Sequence, residues 1–319
     1  MKGKVTMVTR KEVRKQKKGK RKGLKITLAI LGSVMLFVIG YGIYIYSKLS
    51  ETIDAMYTPL ESDLEKKEEI QSRLGKKETI NVLLLGVDER PGDKGRSDTM
   101  IFLSLNPNTN KMLMLSIPRD TYVNIPGRGK DKINHSYAFG GSELSVQTVE
   151  EFLDTTIHFY SKINMEGLKD GVDALGGVTV ENDLEFTQDG IYFPKGKLTL
   201  NGEEALAYAR MRKQDSRGDL GRNIRQQQII SAMVSKATSF DSFTRVTNIL
   251  DAVGTNVQTN AQMEEMRKLF MNYRGTRNDM IREEIKGSGQ MINRVWYYVV
   301  SDEEVNRIRQ LLKEHMDEK

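Results

Sequence analysis

Residues 80–120 read INVLLLGVDERPGDKGRSDTMIFLSLNPNTNKMLMLSIPRD, and this stretch decides the fold. Three short apolar runs, at 80–87, 99–105 and 112–117, predict three buried strands. Residues 106–110 (NPNTN), between the second and third runs, have the composition of a turn. If these strands are antiparallel neighbours, the end of the first, the start of the second and the end of the third meet at one sheet edge.

Charged side chains lie at that predicted edge. Asp88 follows the first strand, Asp98 precedes the second, and Arg119 and Asp120 follow the third. Ligand sites in open α/β sheets favour such strand ends. A single loop aspartate usually forms a cap or a turn, but the convergence of two aspartates and an arginine indicates a functional role. Asp120 has two interpretations, as a site residue or as the partner that holds Arg119 in place.

A second polar group lies in residues 201–228, which read NGEEALAYARMRKQDSRGDLGRNIRQQQ. A helix is predicted at 201–209, close to Arg210 and Arg212. These two arginines are two positions apart and would point about 200° away from each other on a continuous helix. They can share one site if the helix ends between them, and the loop-like residues that follow favour such an end.

A longer helix is predicted at 219–237, with an apolar stripe on one side. Arg222, Arg225 and Gln226 have i, i+3, i+4 spacing in its first turns and can share one face. Free N–H groups and the helix dipole favour an anion at this end. The alternative interpretation is a solvated basic face that is paired with neighbouring acidic residues.

Further apolar patterns complete the prediction of the fold. They predict additional helices and strands, with the helices at 142–153, 165–174, 240–252, 261–273 and 302–315 and the strands at 178–181 and 294–300. Strands mixed with helices indicate the α/β class, as a three-layer α/β/α sandwich with a central mixed sheet. We expect one domain over 79–319, which is long enough to bury a sizeable core.

The N-terminal part of the chain predicts a membrane anchor. The first 25 residues contain twelve Lys and Arg and one acid, whereas residues 26–47 carry no charge. This apolar run can span a hydrocarbon core of about 30 Å as a helix, and the preceding basic residues predict a cytoplasmic tail. We interpret residues 48–78 as an extracellular stalk and 79–319 as an extracellular catalytic domain. A cleaved signal peptide is disfavoured because the run is too long and no A-x-A-like site follows.

Composition argues against several other functions. The formal net charge is +6, but the tail alone carries +11, which leaves −5 for the rest of the chain. The tail has no recognisable nucleic-acid-reading module, so we expect no nucleic-acid partner. There is no cysteine and hence no thiol chemistry. His135, His158 and His315 lack the spacing of zinc ligands.

With these residues, the sequence resembles the LytR-CpsA-Psr family of bacterial cell-envelope phosphotransferases. The order and spacing of the matching segments agree with the family through most of residues 79–238. The segments are GVDER (86–90), RSDTM (96–100), SIPRDTYVNIPG (116–127), KINHSYAFGG (132–141), LGGVTV (175–180), YFPKGKLTLNGEEALAYARMR (192–212) and GDLGRNIRQQQ (218–228).

The resemblance implies an activity and a site. Such proteins move a glycopolymer from undecaprenyl pyrophosphate to the C6 hydroxyl of N-acetylmuramic acid in peptidoglycan, and the sequence resembles most the members that move wall teichoic acid. By resemblance, Asp88 and Asp98 bind Mg²⁺ or Mn²⁺ and act in catalysis together with Arg119. An apolar pocket would hold the prenyl chain. The implied pyrophosphate and head-group ligands are Arg90, Arg119, Arg210, Arg212, Arg222 and Gln226.

The implied mechanism depends on charge compensation. The metal and the arginines would neutralise the pyrophosphate while the acceptor hydroxyl attacks the phosphorus linked to the sugar. Asp88 either helps to deprotonate the hydroxyl or only binds the metal. The sequence has no G-x-S-x-G elbow and no P-loop, which disfavours acyl transfer and nucleotide hydrolysis. Two alternatives stay open, a polyprenyl-pyrophosphate hydrolase and a non-enzymatic envelope regulator.

Overall fold

The structure is a computed structural model that describes residues 10–89, 95–237 and 246–318. The chain divides into two compact units, the first ending at Ser50 and the second running from Glu51 to Lys319. A long helix, α1 (Arg10–Met56), makes up the described part of the first unit. Its segment Leu31–Met56 is long and apolar enough to cross a membrane, which agrees with the predicted anchor.

A six-stranded mixed sheet forms the centre of the second unit. From one edge to the other its strands are β11 (Val257–Thr259), β6 (Phe159–Asn164), β1 (Ile80–Val87), β2 (Ser97–Asn106), β3 (Lys111–Ile117) and β12 (Asp279–Glu284). The strand β1 is antiparallel to β2 and parallel to β6, and β2 is antiparallel to β3. The predicted strand order and direction of β1, β2 and β3 are therefore confirmed.

The other elements of this unit are helices and short hairpins. The helices are α2 (Asp63–Lys76), α3 (His135–Leu153), α4 (Met165–Ala174), α5 (Gly202–Arg210), α6 (Asp219–Ala237), α7 (Val246–Asn256), α8 (Met263–Tyr273) and α9 (Asp302–Asp317). The short strands are β4 (Tyr122–Ile125), β5 (Gly129–Lys132), β7 (Val178–Asn182), β8 (Phe186–Gln188), β9 (Ile191–Phe193), β10 (Gly196–Leu200), β13 (Ser288–Ile292) and β14 (Val295–Val299).

Helices cover both faces of the sheet, so the predicted three-layer α/β/α sandwich is confirmed. On one face, Leu83 and Phe102 pack in a buried cluster with side chains of α3 and α9. On the opposite face, Ile101 and Met114 pack with Ile230 of α6. Successive side chains along β1 and β2 point to opposite faces of the sheet, because a strand has a two-residue period. Burial on both faces explains why these strands read as continuous apolar runs.

Several elements differ from the predictions. The helix predicted at 142–153 begins at His135 and is interrupted by non-helical backbone at Gly140 and Gly141. The strands β6 (FYSKIN) and β12 (DMIREE) were not predicted, because their polar residues hide the apolar signal. The strand β12 lies at a sheet edge, where charged side chains protect against pairing with other chains.

The compact unit of the structure begins nearer the N-terminus than the domain predicted at 79–319. The compact unit begins at Glu51, whereas the stalk was predicted to extend to residue 78. Within α2, Ile70 and Leu74 are buried in a cluster with Ile80 and Tyr273. Their i, i+4 spacing presents both side chains on one helix face, and this pair of apolar residues is enough to dock an otherwise charged helix.

A buried histidine fixes the start of β6 against β1. The backbone N–H of His158 donates to the carbonyl of Asn81 at 3.0 Å, and the N–H of Asn81 donates to Nδ1 of His158 at 2.9 Å. The ring is almost inaccessible, with 1% of the residue exposed. Burial, with a smaller contribution from nearby Arg73, lowers the pKa of His158 to about 4.

We predict that this histidine makes the fold sensitive to mild acid. Its pKa in the folded state lies below the ordinary value of 6.5, so stability is complete above pH 6.5 and falls as the pH drops through 4. The loss should reach roughly 3 kcal/mol for this group. Thermal unfolding of the full chain between pH 7 and 4 measures it. The variant His158→Gln should flatten the curve; equal curves for wild type and His158→Gln would contradict the assignment.

Candidate active site

A β-bulge places the two predicted metal-binding aspartates at one edge of the sheet. The pairing of β1 with β2 skips one residue, so that Asp98 is an extra residue between the paired Ser97 and Thr99. A bulge bends its strand and redirects a side chain, which is why bulges often occur beside active sites. Asp88 follows directly after β1, at the same edge. The topology therefore brings these two carboxylates to one end of a strand pair, as predicted.

The backbone of Asp88 is held by the loop that precedes β2. Its N–H donates to the carbonyl of Arg96 at 3.1 Å. Gly95 has a φ of +68°, and a Cβ atom there would lie 2.2 Å from the carbonyl oxygen of Asp88. Only glycine fits this close approach of two backbone segments. The predicted ligand Arg90 lies outside the described residues.

Arg119 stands at the centre of a chain of ion pairs. Its Nη1 donates to Oδ1 of Asp98 at 2.8 Å, and its Nε lies 3.5 Å from Oδ2 of Asp120. The Nζ of Lys132 donates to Oδ1 of Asp120 at 2.7 Å. The Arg119 and Asp98 side chains are about a quarter exposed, so both remain accessible to a ligand. Asp120 thus contacts Arg119, in keeping with the interpretation that it orients this arginine.

A further ion pair lies next to Asp88. Both carboxylate oxygens of Glu89 accept from Nζ of Lys162 at 3.0 Å, and Oε1 also accepts from the hydroxyl of Tyr137. Burial, followed by the hydrogen bond from this hydroxyl to Glu89, raises the pKa of Tyr137 far above its ordinary range. Tyr137 therefore stays protonated as a hydrogen-bond donor. These contacts fix the chain immediately after Asp88.

The end of α5 separates two of the predicted arginines. The helix begins with a capping box in which Asn201 and Glu204 exchange side-chain and backbone hydrogen bonds. It ends at Arg210, because Met211 has an extended ψ of 131°. Arg210 and Arg212 are both exposed. The predicted helix end between these arginines is therefore confirmed, and both side chains can reach one cavity.

One cavity brings most of the predicted anion ligands together. It has a volume of about 340 Å³ and is lined by Arg119, Gln188, Arg210, Arg212, Lys213 and Arg222. Arg222 itself is mostly buried, with 7% of the residue exposed. Planar guanidinium groups donate paired hydrogen bonds that match phosphate oxygens. We call this space the arginine cavity.

Arg225 faces away from the arginine cavity, so it does not share a face with Arg222 and Gln226 as the spacing had suggested. It is 1% exposed and donates through Nη1 to Asp215 at 2.7 Å and through Nη2 to the carbonyl of Met211 at 2.8 Å. Burial would raise the pKa of Asp215, but hydrogen bonds from Arg217 and Arg225 hold it well below its ordinary range. This network anchors the loop that carries Arg212.

We predict that Arg225 is a stability determinant. The variant Arg225→Met would leave a buried carboxylate short of one partner and should lower the free energy of unfolding by about 3 kcal/mol. Urea unfolding of the full chain in detergent measures this change. Arg267 is the control, because its ion pair with Glu264 lies on the surface; Arg267→Met should change the value by less than about 0.5 kcal/mol. Equal effects of the two variants would refute the anchoring role.

An apolar cavity lies next to the arginine cavity, between the sheet and helices α4, α5 and α6. Its volume is about 230 Å³, and its lining includes Leu84, Leu168, Leu206, Met233 and Val257. Among the described residues that line it, Arg210 is the only charged one, and Gln226 also contributes. Arg210 lines the arginine cavity too, so an apolar space and an anion-binding space meet at this side chain.

A third space, which we call the polar cleft, also adjoins the arginine cavity. It has a volume of about 680 Å³ and shares Arg119, Arg212 and Lys213 with the arginine cavity. Its lining shares no described residue with that of the apolar cavity. Three spaces therefore follow one another in order, namely the apolar cavity, the arginine cavity and the polar cleft.

The carboxylates of Asp88 and Asp98 suit a magnesium ion that also binds the phosphates of a substrate. Among the described residues, no group of three or more His, Cys, Asp or Glu side chains is arranged to hold a metal ion alone. Mg²⁺ in phosphoryl-transfer sites is held by one or two carboxylates together with substrate phosphates and water. Asp98 contacts Arg119 of the arginine cavity, and Asp88 supplies a second carboxylate at the same sheet edge. The magnesium site stays a prediction.

The site also contains residues that sequence reasoning missed. Lys132 and Lys162 each pair with a carboxylate at the sheet edge, and Nε2 of Gln227 donates to the Ser116 hydroxyl of β3 at 2.7 Å. Lys162 could be identified as a site residue from the sequence, because a lysine within a strand of a buried sheet needs a partner for its charge. Nothing in the sequence distinguishes the buried Gln227 from its two glutamine neighbours.

The chain is an α/β protein with an N-terminal helix that is long and apolar enough to cross a membrane, and its arginine cavity adjoins an apolar cavity. Residues 43–314 match the model of the LytR_cpsA_psr family, and the chain belongs to this family. A TagU protein of Oceanobacillus iheyensis, named polyisoprenyl-teichoic acid–peptidoglycan teichoic acid transferase, is 53% identical over 321 residues. This match covers 98% of the present chain and 100% of the relative.

Solved structures support the same assignment. The crystal structure of Bacillus subtilis TagU is similar, with a TM-score of 0.62 and 41% identity, over 76% of this chain and 98% of that chain. The family protein YwtF (TagT), solved with bound octaprenyl pyrophosphate lipid, has a TM-score of 0.61 and 30% identity. That match covers 75% of this chain and 91% of the other.

Proposed function

We propose that this chain is a phosphotransferase that moves an anionic glycopolymer, wall teichoic acid, from undecaprenyl pyrophosphate to peptidoglycan. The acceptor in this proposal is the C6 hydroxyl of N-acetylmuramic acid. The observation that carries it is the junction of two unlike spaces at Arg210, which lines both the apolar cavity and the arginine cavity. A prenyl pyrophosphate matches these two spaces, because it joins an apolar chain to a doubly charged head.

The named relatives support the chemical class. The Oceanobacillus relative, 53% identical, carries a name that specifies a polyisoprenyl-linked teichoic acid and peptidoglycan. TagT has been solved with octaprenyl pyrophosphate lipid, which is a ligand of the kind that the two cavities would accept. The apolar N-terminal helix also supports the proposal, because it would hold the protein at the membrane in which a polyprenyl substrate resides.

The proposed mechanism begins with binding and orientation. The prenyl chain enters the apolar cavity, and Arg119, Arg210, Arg212 and Arg222 surround the pyrophosphate. These side chains are held before the substrate arrives, since Arg119 is paired with Asp98 and the loop of Arg212 is anchored by Arg225. Such preorganised charge stabilises a transition state without reorganisation at the moment of reaction.

The proposed reaction is a displacement at phosphorus. The acceptor oxygen forms a bond to the phosphorus that carries the polymer, and the bond from that phosphorus to the prenyl phosphate breaks. The hydroxyl proton passes to a carboxylate, for which Asp88 is our candidate. The arginines compensate the charge that develops on the leaving polyprenyl phosphate. Magnesium or manganese, when bound by Asp88 and Asp98, would supply further charge neutralisation of the phosphate oxygens.

We also propose a single-pass type II orientation. The basic residues 1–25 would lie in the cytoplasm, and the compact unit from Glu51 onward would lie outside the cell membrane. This orientation places the site on the side of the membrane where peptidoglycan is found. Accessibility of the compact unit to protease on intact cells tests the orientation without reference to activity.

The transferase proposal predicts that the polymer becomes attached to glycan in the following assay. Full-length protein in detergent would receive a polyprenyl-pyrophosphate-linked teichoic acid precursor, peptidoglycan oligomers and Mg²⁺. We expect transfer that is lost with EDTA and falls by a factor of about 100 or more in Arg119→Ala, because one transition-state contact is removed. The exposed Arg267 provides the control, and Arg267→Ala should keep full transfer.

Two other outcomes of this assay would contradict the transferase. Released polymer without a glycan adduct would identify a hydrolase that uses water at the same site. Tight lipid binding with no turnover, unchanged by Asp98→Ala, would identify a carrier or regulator.

The proposed lipid site predicts a dependence on prenyl chain length. Leu206 lines the apolar cavity, so Leu206→Trp should fill part of it and abolish the preference for a long-chain over a two-isoprene pyrophosphate. We expect the affinity ratio to fall by a factor of about ten. Isothermal titration with both ligands measures this ratio. The control variant is Leu64→Trp, because Leu64 is 83% exposed on α2. An unchanged ratio in Leu206→Trp would exclude this cavity as the lipid site.

A further inference from the structure

The polar cleft is the largest of the three adjoining spaces, and binding of the prenyl pyrophosphate leaves most of it unused. Besides the arginines that it shares with the arginine cavity, its lining includes Lys132, Trp296 and Tyr298. Trp296 is the only tryptophan of the chain, and 43% of the residue is exposed. A large aromatic side chain at this exposure is unusual beside a polar, charged cleft. It presents both an apolar surface and an N–H donor.

The tryptophan is fixed relative to the catalytic edge. It belongs to the β13–β14 hairpin, whose Tyr298 N–H donates to the carbonyl of Asp120 at 2.9 Å. The same hairpin forms a β-bridge between Thr121 and Tyr298. The backbone beside Trp296 is therefore hydrogen-bonded to the residue that follows Arg119. A ligand held by the indole would have a set position relative to this arginine.

The hairpin also supports the indole ring itself. Gly289 lies so close that a Cβ atom there would be 2.7 Å from Nε1 of Trp296. The ammonium group of Lys132 lies 6.0 Å from the centroid of the ring. The backbone at Gly289 thus packs against the indole, and a cation stands near it. This arrangement holds the side chain in place without covering it completely.

The order of the three spaces assigns a role to the cleft. In a displacement at phosphorus, the attacking and leaving oxygens lie roughly in line. In the proposed function the leaving prenyl phosphate points toward the apolar cavity. The attacking hydroxyl must then approach from the opposite side of the pyrophosphate. The polar cleft adjoins the arginine cavity at Arg119 and Arg212 and shares no described residue with the apolar cavity, so it is a route to the pyrophosphate that the prenyl chain leaves free.

We propose that the polar cleft binds the acceptor glycan and that a sugar ring of this acceptor stacks on the indole of Trp296. The inference rests on the proposed transferase function and adds the position of the second substrate. A pyranose ring has an apolar face of C–H groups and a rim of hydroxyls. The indole matches the apolar face, and the charged side chains of Lys132 and Asp120 can bind the hydroxyls. Trp296 is thereby a specificity determinant for the acceptor.

Steady-state transfer by the full-length protein tests this role. In Trp296→Ala we expect the KM for peptidoglycan oligomers to rise by a factor of about ten, which corresponds to the loss of one stacking contact. The KM for the lipid-linked donor should not change. Trp296→Phe should recover part of the acceptor affinity. Phe270, 56% exposed on α8, is the matched control, and Phe270→Ala should behave as wild type. A rise in the donor KM alone would assign the cleft to the donor saccharide and overturn the proposal.

The intrinsic fluorescence of Trp296 gives a readout that does not need turnover. Because the chain has no other tryptophan, a change in emission on titration with peptidoglycan oligomers reports directly on this ring. We expect a saturable change without donor, and no change with polyprenyl pyrophosphate alone. Transfer by the wild type with an unchanged acceptor KM in Trp296→Ala would overturn this inference but leave the transferase standing. A wild type without any transfer would instead refute the proposed function.

Discussion

The antiparallel arrangement of β1, β2 and β3 is the constraint on which the rest of the site depends. It returns the chain twice to the same edge of the sheet, so that Asp88, Asp98 and Arg119 arrive from three separate strand ends. The bulge at Asp98 then takes this residue out of the pairing between the strands. Since the strands are buried on both faces, their register is fixed, and a shift of one residue would exchange core and surface side chains.

Charge compensation governs the second half of the site. Cations and carboxylates alternate from Asp98 through Arg119 and Asp120 to Lys132, and a separate buried pair joins Asp215 to Arg225. Buried charges are stable only when they are paired, so each carboxylate also fixes a cation in space. Arg119, which lines the arginine cavity, is thus positioned by the protein rather than by the ligand. This is the condition under which fixed charge contributes most to catalysis.

The sequence predicted the central strands and the bounds of α4 and α6, because each carries a strong periodic or apolar signal. It also grouped residues that the structure brings to one cavity, namely Arg119, Arg210, Arg212 and Arg222, since helix ends and strand ends can be located from local composition. The role of Arg225 could not be predicted, because helix spacing groups it with Arg222 and only the tertiary contact with Asp215 separates them. The docking of α2 was missed for the same reason, as its partners Ile80 and Tyr273 come from distant elements.

Photolabelling of the full-length protein with a polyprenyl pyrophosphate that carries a diazirine on its terminal isoprene would test the central claim most directly. The account predicts that the label attaches to residues of α4, α5 and α6 around the apolar cavity, such as Leu168, Leu206 and Met233. It also predicts that unlabelled prenyl pyrophosphate competes for these positions. Labels confined to α1, with none in these helices, would show that the lipid is held elsewhere and would contradict the order of cavities on which the mechanism rests.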